Sequence, residues 1–130
     1  MSITMSLEIE SGATLDEIAE ALTSIGERYD VDAVKLDFTF KNSGCNFSIR
    51  RLSCPEGVVA EGANLNWRVG LRGAFNCRVS NMEDSWNDIK IFLRELYWTT
   101  RYYFVLSFQY ESVYVVRNRE GLSFVRNMVD

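Results

Sequence analysis

The chain has 130 residues, a formal net charge of −4, 47% hydrophobic residues and no histidine. Without an imidazole group, the sequence excludes a Ser-His-Asp triad, a Cys-His catalytic pair and a histidine-based metal site. One domain spanning residues 1–130 is expected at this length. The N-terminal residues lack a signal-peptide pattern, and no apolar run approaches the ~20 residues that span a bilayer, so we expect a cytoplasmic protein with no membrane partner.

The first part of the chain predicts a strand followed by a helix. Apolar and polar residues alternate from Ile3 to Glu10, as in a half-buried strand. Thr14 and Glu17 have the spacing of a capping box, in which each side chain satisfies a free backbone N–H at the start of a helix. The residues that follow recur at three- and four-residue steps and predict an amphipathic helix, with its apolar side at Leu15, Ile18, Leu22, Ile25 and Tyr29.

The middle of the chain predicts further strands. Two alternating segments, Val34–Lys41 and Cys45–Leu52, flank a turn signal and predict a hairpin. Residues 53–64 contain the only proline and are predicted to be a loop. Residues 65–79 alternate again with an interruption at Gly73, which indicates either one bulged strand or a hairpin that turns near Gly73.

The last third predicts a second helix and three strands. Asn81 has the position of an N-cap, and the apolar face that follows contains Trp86, Ile89, Leu93 and Leu96. Residues 102–110 alternate most strongly, and residues 113–117 and 122–126 predict two shorter strands.

This order of elements predicts an α+β fold. We interpret it as two β-α-β-β units, with pseudo-repeat halves at about residues 1–56 and 63–130. The units would form a mainly antiparallel sheet or a partial barrel, with two helices packed on one face.

Charge is distributed unevenly and marks candidate surfaces. Residues 1–40 carry a net charge of −7, residues 41–82 carry +4 and residues 83–130 carry −1. The acidic residues on and just after the first helix are candidates for docking onto a basic protein, because clustered charge speeds association with an opposite surface. They are Asp16, Glu17, Glu20, Glu27, Asp30 and Asp32.

Aromatic residues provide the other candidate contacts. All three tryptophans are expected in the core by default. Trp98, at the end of the second helix, and Tyr103, on an outward strand position, are nevertheless candidate partner-binding residues, because Trp, Tyr and Arg dominate interface hot spots.

Four arginines fall on the polar side of their predicted strands and would form a basic stripe if those strands were neighbours. They are Arg50, Arg68, Arg72 and Arg78. RNA-binding sheets combine such a stripe with exposed aromatic residues. Tyr103 is the only outward aromatic residue here, and no RNP-like motif is present, so nucleic acid is not expected as a partner.

No catalytic or metal-ligating residue is assigned. The cysteines, Cys45, Cys54 and Cys77, lack a Cys-x-x-Cys spacing and are expected to be reduced thiols. Glu8 and Glu10 are paired carboxylates on one strand face, where solvation is expected. The glycines at 70 and 73 match a Gly-x-x-Gly pattern, but they lie between strand-like segments and therefore indicate a turn or bulge. No cofactor is expected.

These features favour a binding protein over an enzyme. A small, acidic, aromatic-rich chain without catalytic residues is similar in general character to bacterial immunity proteins and to phage-encoded inhibitors such as anti-CRISPR proteins. We therefore expect a stoichiometric inhibitor, an immunity protein that occludes a cognate toxin such as a basic nuclease. The alternative is a small-molecule-binding domain, because the doubled units resemble the GyrI-like effector-binding fold and the metal-free vicinal-oxygen-chelate proteins. The sequence leaves the oligomeric state open.

Overall fold

Within residues 1–62 and 65–129, which the computed structural model describes, the chain forms eight β-strands, two α-helices and one 3-10 helix. The α+β class predicted from the sequence is confirmed. In chain order the elements are β1 (Ser2–Glu10), α1 (Leu15–Ser24), β2 (Asp30–Val31), β3 (Lys35–Thr39), β4 (Asn46–Gly57), β5 (Arg68–Arg78), the 3-10 helix (Val79–Asn81), α2 (Met82–Thr99), β6 (Phe104–Phe108), β7 (Ser112–Asn118) and β8 (Gly121–Phe124).

The strands join one antiparallel sheet in the order β2-β3-β4-β5-β1-β6-β7-β8. β1 lies at the centre, where Leu7 pairs with Gly73 on one side and with Leu106 on the other. β5 is one continuous strand through Gly73, so the hairpin alternative is wrong. Only glycine fits at this position, because a Cβ atom would lie 2.6 Å from the carbonyl oxygen of Ser48 on β4.

The main core contains side chains from both helices and from one side of the sheet. The rings of Phe47 and Phe75, on neighbouring strands, stack with centroids 4.3 Å apart. Phe92 of α2 packs on both rings at centroid distances of 5.4 and 6.0 Å. Ile18 and Leu22 of α1 are fully buried in the same core, as the helical periodicity predicts.

A second, smaller core lies on the opposite side of the sheet. Its buried residues are Trp67, Val69 and Val105. Because successive side chains of a strand point to opposite faces, Val105 faces away from the helices while Leu106 faces them. The second core is covered by partly buried residues, among them Leu52, Val58, Ala60 and Leu65. The segment after β4 therefore folds over the middle of the sheet.

The predicted repeat of two β-α-β-β units is not confirmed. Four strands, β2 to β5, lie between α1 and α2, and three strands, β6 to β8, follow α2. The strands that follow the helices also differ in position, because β2 lies at the sheet edge whereas β6 pairs with the central strand β1.

Several boundaries differ from the prediction. β4 continues through Pro55 to Gly57, with a register shift opposite β5 that accommodates the proline. The predicted loop at residues 53–64 therefore begins later, and its last two residues, 63 and 64, lie outside the described residues. Asn81 precedes α2, but its side chain makes no capping bond and donates instead to the Ser43 carbonyl at 3.2 Å.

Candidate functional site

Three of the six candidate acids are held by internal hydrogen bonds. Glu17 completes the predicted capping box with Thr14, and its Oε1 also accepts a 3.0 Å bond from the Tyr102 hydroxyl. Glu27 accepts a bond from the Lys41 N–H at 3.1 Å. Asp32 accepts bonds from the N–H groups of residues 34 and 35 at 2.8 and 2.9 Å, and these bonds lower the pKa of its carboxyl.

The other three acids are exposed. Asp16 and Glu20 lie one turn apart on the outward side of α1, and Asp30 lies on the edge strand β2. Among the residues that the structure describes, none of the three has a basic side chain within salt-bridge distance. Their charges therefore remain available to an approaching partner.

The outward side of α2 presents large apolar side chains to solvent. Trp98 is 79% exposed, so the default placement of this tryptophan in the core is wrong. Ile91, seven residues earlier, is 50% exposed. Residues seven apart share one side of an α-helix, so these two side chains lie on the same side of α2, two turns apart. Trp86 of the same helix is only 2% exposed, as predicted.

The two helices run antiparallel. The Glu17–Tyr102 bond joins the first turn of α1 to the chain just after α2. At the opposite end, Lys41 contacts Glu27 beyond the end of α1, and the nearby Ser43 N–H donates to Asp88 in the first half of α2. The start of α1 and the end of α2 therefore lie at the same end of the helix pair.

We call the outward surface of this pair the helical face and define it by Asp16, Glu20, Ile91 and Trp98. It combines two exposed carboxylates on α1 with two exposed apolar side chains on α2. Chemically, this arrangement can attract a basic surface and then bury apolar area against it.

Tyr103 lies in a different place, in a cavity of about 260 Å³ between the end of α2 and the β7–β8 turn. Arg117 closes one side of the cavity, because its guanidinium stacks on the Tyr97 ring at 4.4 Å and donates to the carbonyl oxygens of Tyr97 and Thr100 at 3.1 and 2.6 Å. Burial lowers the pKa of this guanidinium.

Two further arginines, Arg101 and Arg119, line this cavity with Tyr97, Tyr103 and Arg117. Three guanidinium groups beside two tyrosine rings suit a small anion, because planar guanidinium groups bind carboxylates and phosphates in pairs of hydrogen bonds. The sequence did not predict this group of arginines. The sequence offers one hint of it: Arg101 lies two residues before Tyr103, and Arg117 and Arg119 flank the predicted turn at residue 118.

The predicted basic stripe is interrupted. Arg50 and Arg72 are cross-strand neighbours, but Arg72 pairs with Glu8 at 2.9 Å and with Glu56 at 2.6 Å. Burial opposes the charge on Arg72, yet its bonds to these glutamates raise the pKa of the guanidinium above its usual value. Arg78 lies six residues further along the strand, roughly 20 Å away.

Glu8 is fully buried, so its predicted solvation is wrong. Besides the ion pair with Arg72, its carboxylate accepts bonds from the N–H groups of Val59 and Ala60 at 2.9 and 3.0 Å. Glu10 accepts a bond from the Tyr103 N–H at 3.0 Å. Through these hydrogen bonds, Glu8 holds the segment after β4 against β1, and Glu10 holds the segment before β6 against it. We call Glu8, Arg72 and Glu56 the ion-pair cluster.

Further surface cavities have polar linings. One of about 330 Å³ is lined by residues that include Arg28, Asp30 and Asp37. In residues 1–62 and 65–129, no three His, Cys, Asp or Glu residues are placed to share a metal ion. Over the same ranges, neither helix has the length and apolar composition needed to cross a membrane.

Comparison of the chain with protein-family models, with curated proteins and with solved structures finds no significant match.

Proposed function

We propose that this chain is a stoichiometric inhibitor that binds a basic protein through the helical face, as a bacterial immunity protein binds its toxin. The observation that carries the proposal is the 79% exposure of Trp98 on the outward side of an 18-residue helix. A large exposed aromatic residue on a rigid element loses little conformational freedom on binding and contributes strongly when a partner buries it.

The second apolar side chain extends this anchor. Ile91 lies two turns from Trp98 on the same side of α2, roughly 10 Å away at 1.5 Å per residue. Two large apolar side chains exposed on one side of a helix give a partner two places to bury apolar area.

The negative charge on α1 favours a partner with a basic surface. Asp16 and Glu20 are exposed on α1, which runs antiparallel to α2, and the whole chain has a net charge of −4. A partner with a basic surface, such as a nuclease, would be attracted over several ångströms before contact. The inhibitor then acts by covering that surface and catalyses no reaction itself. It would do so in the cytoplasm of the cell that makes both proteins.

The decisive experiment expresses the chain together with the protein encoded beside it in its genome. We expect a complex of one chain to one partner by light scattering, and loss of the partner's toxicity in a growth assay. Trp98→Ala should weaken the complex at least about 30-fold, the loss that corresponds to a 2 kcal/mol hot spot. Val59→Ala, which trims an exposed residue near the second core, is the matched control and should bind normally. Absence of a complex, or wild-type binding by Trp98→Ala, would contradict the proposal.

A second candidate function is binding of a small organic anion in the cavity that Tyr103 lines. The three arginines of that cavity favour it. Phenyl phosphate carries both a ring and a doubly charged group, so it should raise the melting temperature of the wild type but not of Arg119→Gln. Equal shifts in the two proteins would exclude the cavity as the site.

A further inference from the structure

Two buried thiol groups lie in contact inside the main core. The Sγ atoms of Cys45 and Cys77 are 3.1 Å apart, although the residues are 32 positions apart in the chain. The two residues are 1% and 0% exposed. A disulfide bond has a sulfur–sulfur distance of about 2.0 Å, so the sulfur atoms need to approach by only about 1 Å to form one.

The backbone of the sheet places these residues directly opposite each other. Asn46 of β4 pairs with Asn76 of β5 in antiparallel register. One step further along both strands, Cys45 faces Cys77. Directly opposed residues of an antiparallel pair have Cα atoms about 4.5–5.5 Å apart, which lies within the usual range of about 4.4–6.8 Å for a disulfide.

We propose that Cys45 and Cys77 form a reversible disulfide when the folded chain meets hydrogen peroxide. The bond would tie the residue before β4 to the end of β5, next to the first half of α2. This inference concerns the core and does not depend on the proposed function of the helical face.

The surroundings assign different roles to the two thiols. The hydrogen bond from the Cys45 thiol lowers the pKa of Cys77. The same contact, with burial, raises the pKa of Cys45, which therefore keeps its proton. The Ser85 hydroxyl lowers the pKa of both thiols, but at Cys45 the contact with Cys77 and burial outweigh it.

The chemistry balances with peroxide as the oxidant. The Cys77 thiolate attacks one peroxide oxygen, the O–O bond breaks, and the leaving hydroxide takes up a proton to become water. This step leaves a sulfenic acid on Cys77. The Cys45 sulfur then attacks the Cys77 sulfur, the S–O bond breaks, and the departing oxygen leaves as water with the Cys45 proton. Two thiols and one peroxide yield one disulfide and two waters.

Cys54 does not belong to this pair. It is exposed on β4. It would instead react with external thiols or with a second copy of the chain, so the test uses Cys54→Ser as its parent protein.

The experiment treats the folded Cys54→Ser protein with hydrogen peroxide, removes the peroxide with catalase, unfolds the protein and adds iodoacetamide. We expect the intact mass to fall by two hydrogens, no alkylation, and a linked peptide pair that contains Cys45 and Cys77. Dithiothreitol should restore two alkylated thiols. The oxidised form should melt about 10 °C higher, because a loop of this length is closed in the unfolded chain.

A second variant and an unfolded control keep the test decisive. Cys45→Ala in the same background should show no loss of two hydrogens, whatever its stability. Two free thiols in the folded parent, at a peroxide dose that oxidises the same protein in urea, would overturn the proposal. Sulfinic acid at Cys77 beside a free Cys45 thiol would overturn it as well.

Discussion

The ion-pair cluster and the helical face use the same residue types in opposite ways. In the cluster, the Glu8 carboxylate has no exposed surface, and Arg72 and two backbone N–H groups hold it. On the helical face, Asp16 and Glu20 are exposed and have no salt-bridge partner among the described residues. Removing one partner of a buried charge pair destabilises the fold, because the other charge stays buried without compensation, whereas an exposed charge changes encounter rates with little effect on stability.

The difference shows that neighbours, more than residue type, decide the role of a charge here. Glu8 is buried because β1 is central and because residues 58–60 fold across it. Asp16 is exposed because α1 turns its apolar side to the core. Changes in the cluster should therefore reduce stability, and changes on the helical face should reduce binding.

The largest effect is expected in the ion-pair cluster. Glu8→Ala leaves a partly buried guanidinium and two backbone N–H groups without their acceptor, and it should lower the free energy of unfolding by about 3–5 kcal/mol. Urea denaturation measures this loss. Glu56→Ala removes the other, half-exposed partner of Arg72 and should cost less than about 1 kcal/mol. Equal losses in the two variants would mean that burial does not distinguish the two carboxylates.

The two tryptophans of α2 provide the next comparison. Trp86→Ala empties a buried site and should cost about 3–5 kcal/mol of stability. Trp98→Ala removes a side chain that is 79% exposed and should change stability by about 0.5 kcal/mol or less. Thermal unfolding followed by circular dichroism distinguishes them. A large loss of stability in Trp98→Ala would show that this side chain supports the fold and would weaken its assignment to binding.

Local patterns in the sequence predicted much of the fold. The capping box at Thr14 and Glu17 forms as expected, because its partners lie three residues apart. The alternation of β1 correctly placed Leu7 in the core. The exposure of Trp98 also had a signal, because twelve residues after Trp86 correspond to a rotation of about 120° around an α-helix.

Long-range features escaped the sequence analysis for a physical reason. The burial of Glu8 depends on a segment some 50 residues away, since Val59 and Ala60 donate to it across separations of 51 and 52 residues. The contact of Cys45 with Cys77 depends on the pairing of β4 with β5. Periodicity reports which side of a strand a residue occupies, but strand order decides what lies beside it.

A smaller effect on stability is expected at Asp32, the last of the six candidate acids, and this effect should depend on pH. The backbone bonds from residues 35 and 34 lower the pKa of Asp32 below its usual 3.8. The ionised form therefore stabilises the turn above about pH 4, and this contribution is lost as the pH falls through the folded-state pKa. Wild type and Asp32→Ala should thus differ in melting temperature at pH 6 and converge near pH 2. A difference that stays constant with pH would exclude the carboxylate as its source.

The smallest effect on stability, and a clear effect on association, is expected at the exposed acids. Asp16→Asn with Glu20→Gln should leave the free energy of unfolding within about 0.5 kcal/mol of wild type. The same pair of changes should slow association with a basic partner several-fold at low salt, and the difference should shrink as ionic strength rises, because the Debye length falls from about 30 Å at 0.01 M to about 8 Å at 0.15 M. Stopped-flow mixing at several salt concentrations measures both. Glu83→Gln with Asp84→Asn removes two exposed charges from the first turn of α2, at the other end of the helix pair, and is the matched control. If the two double variants slow association equally, net charge alone steers the partner, and the helical face has no privileged role in the encounter.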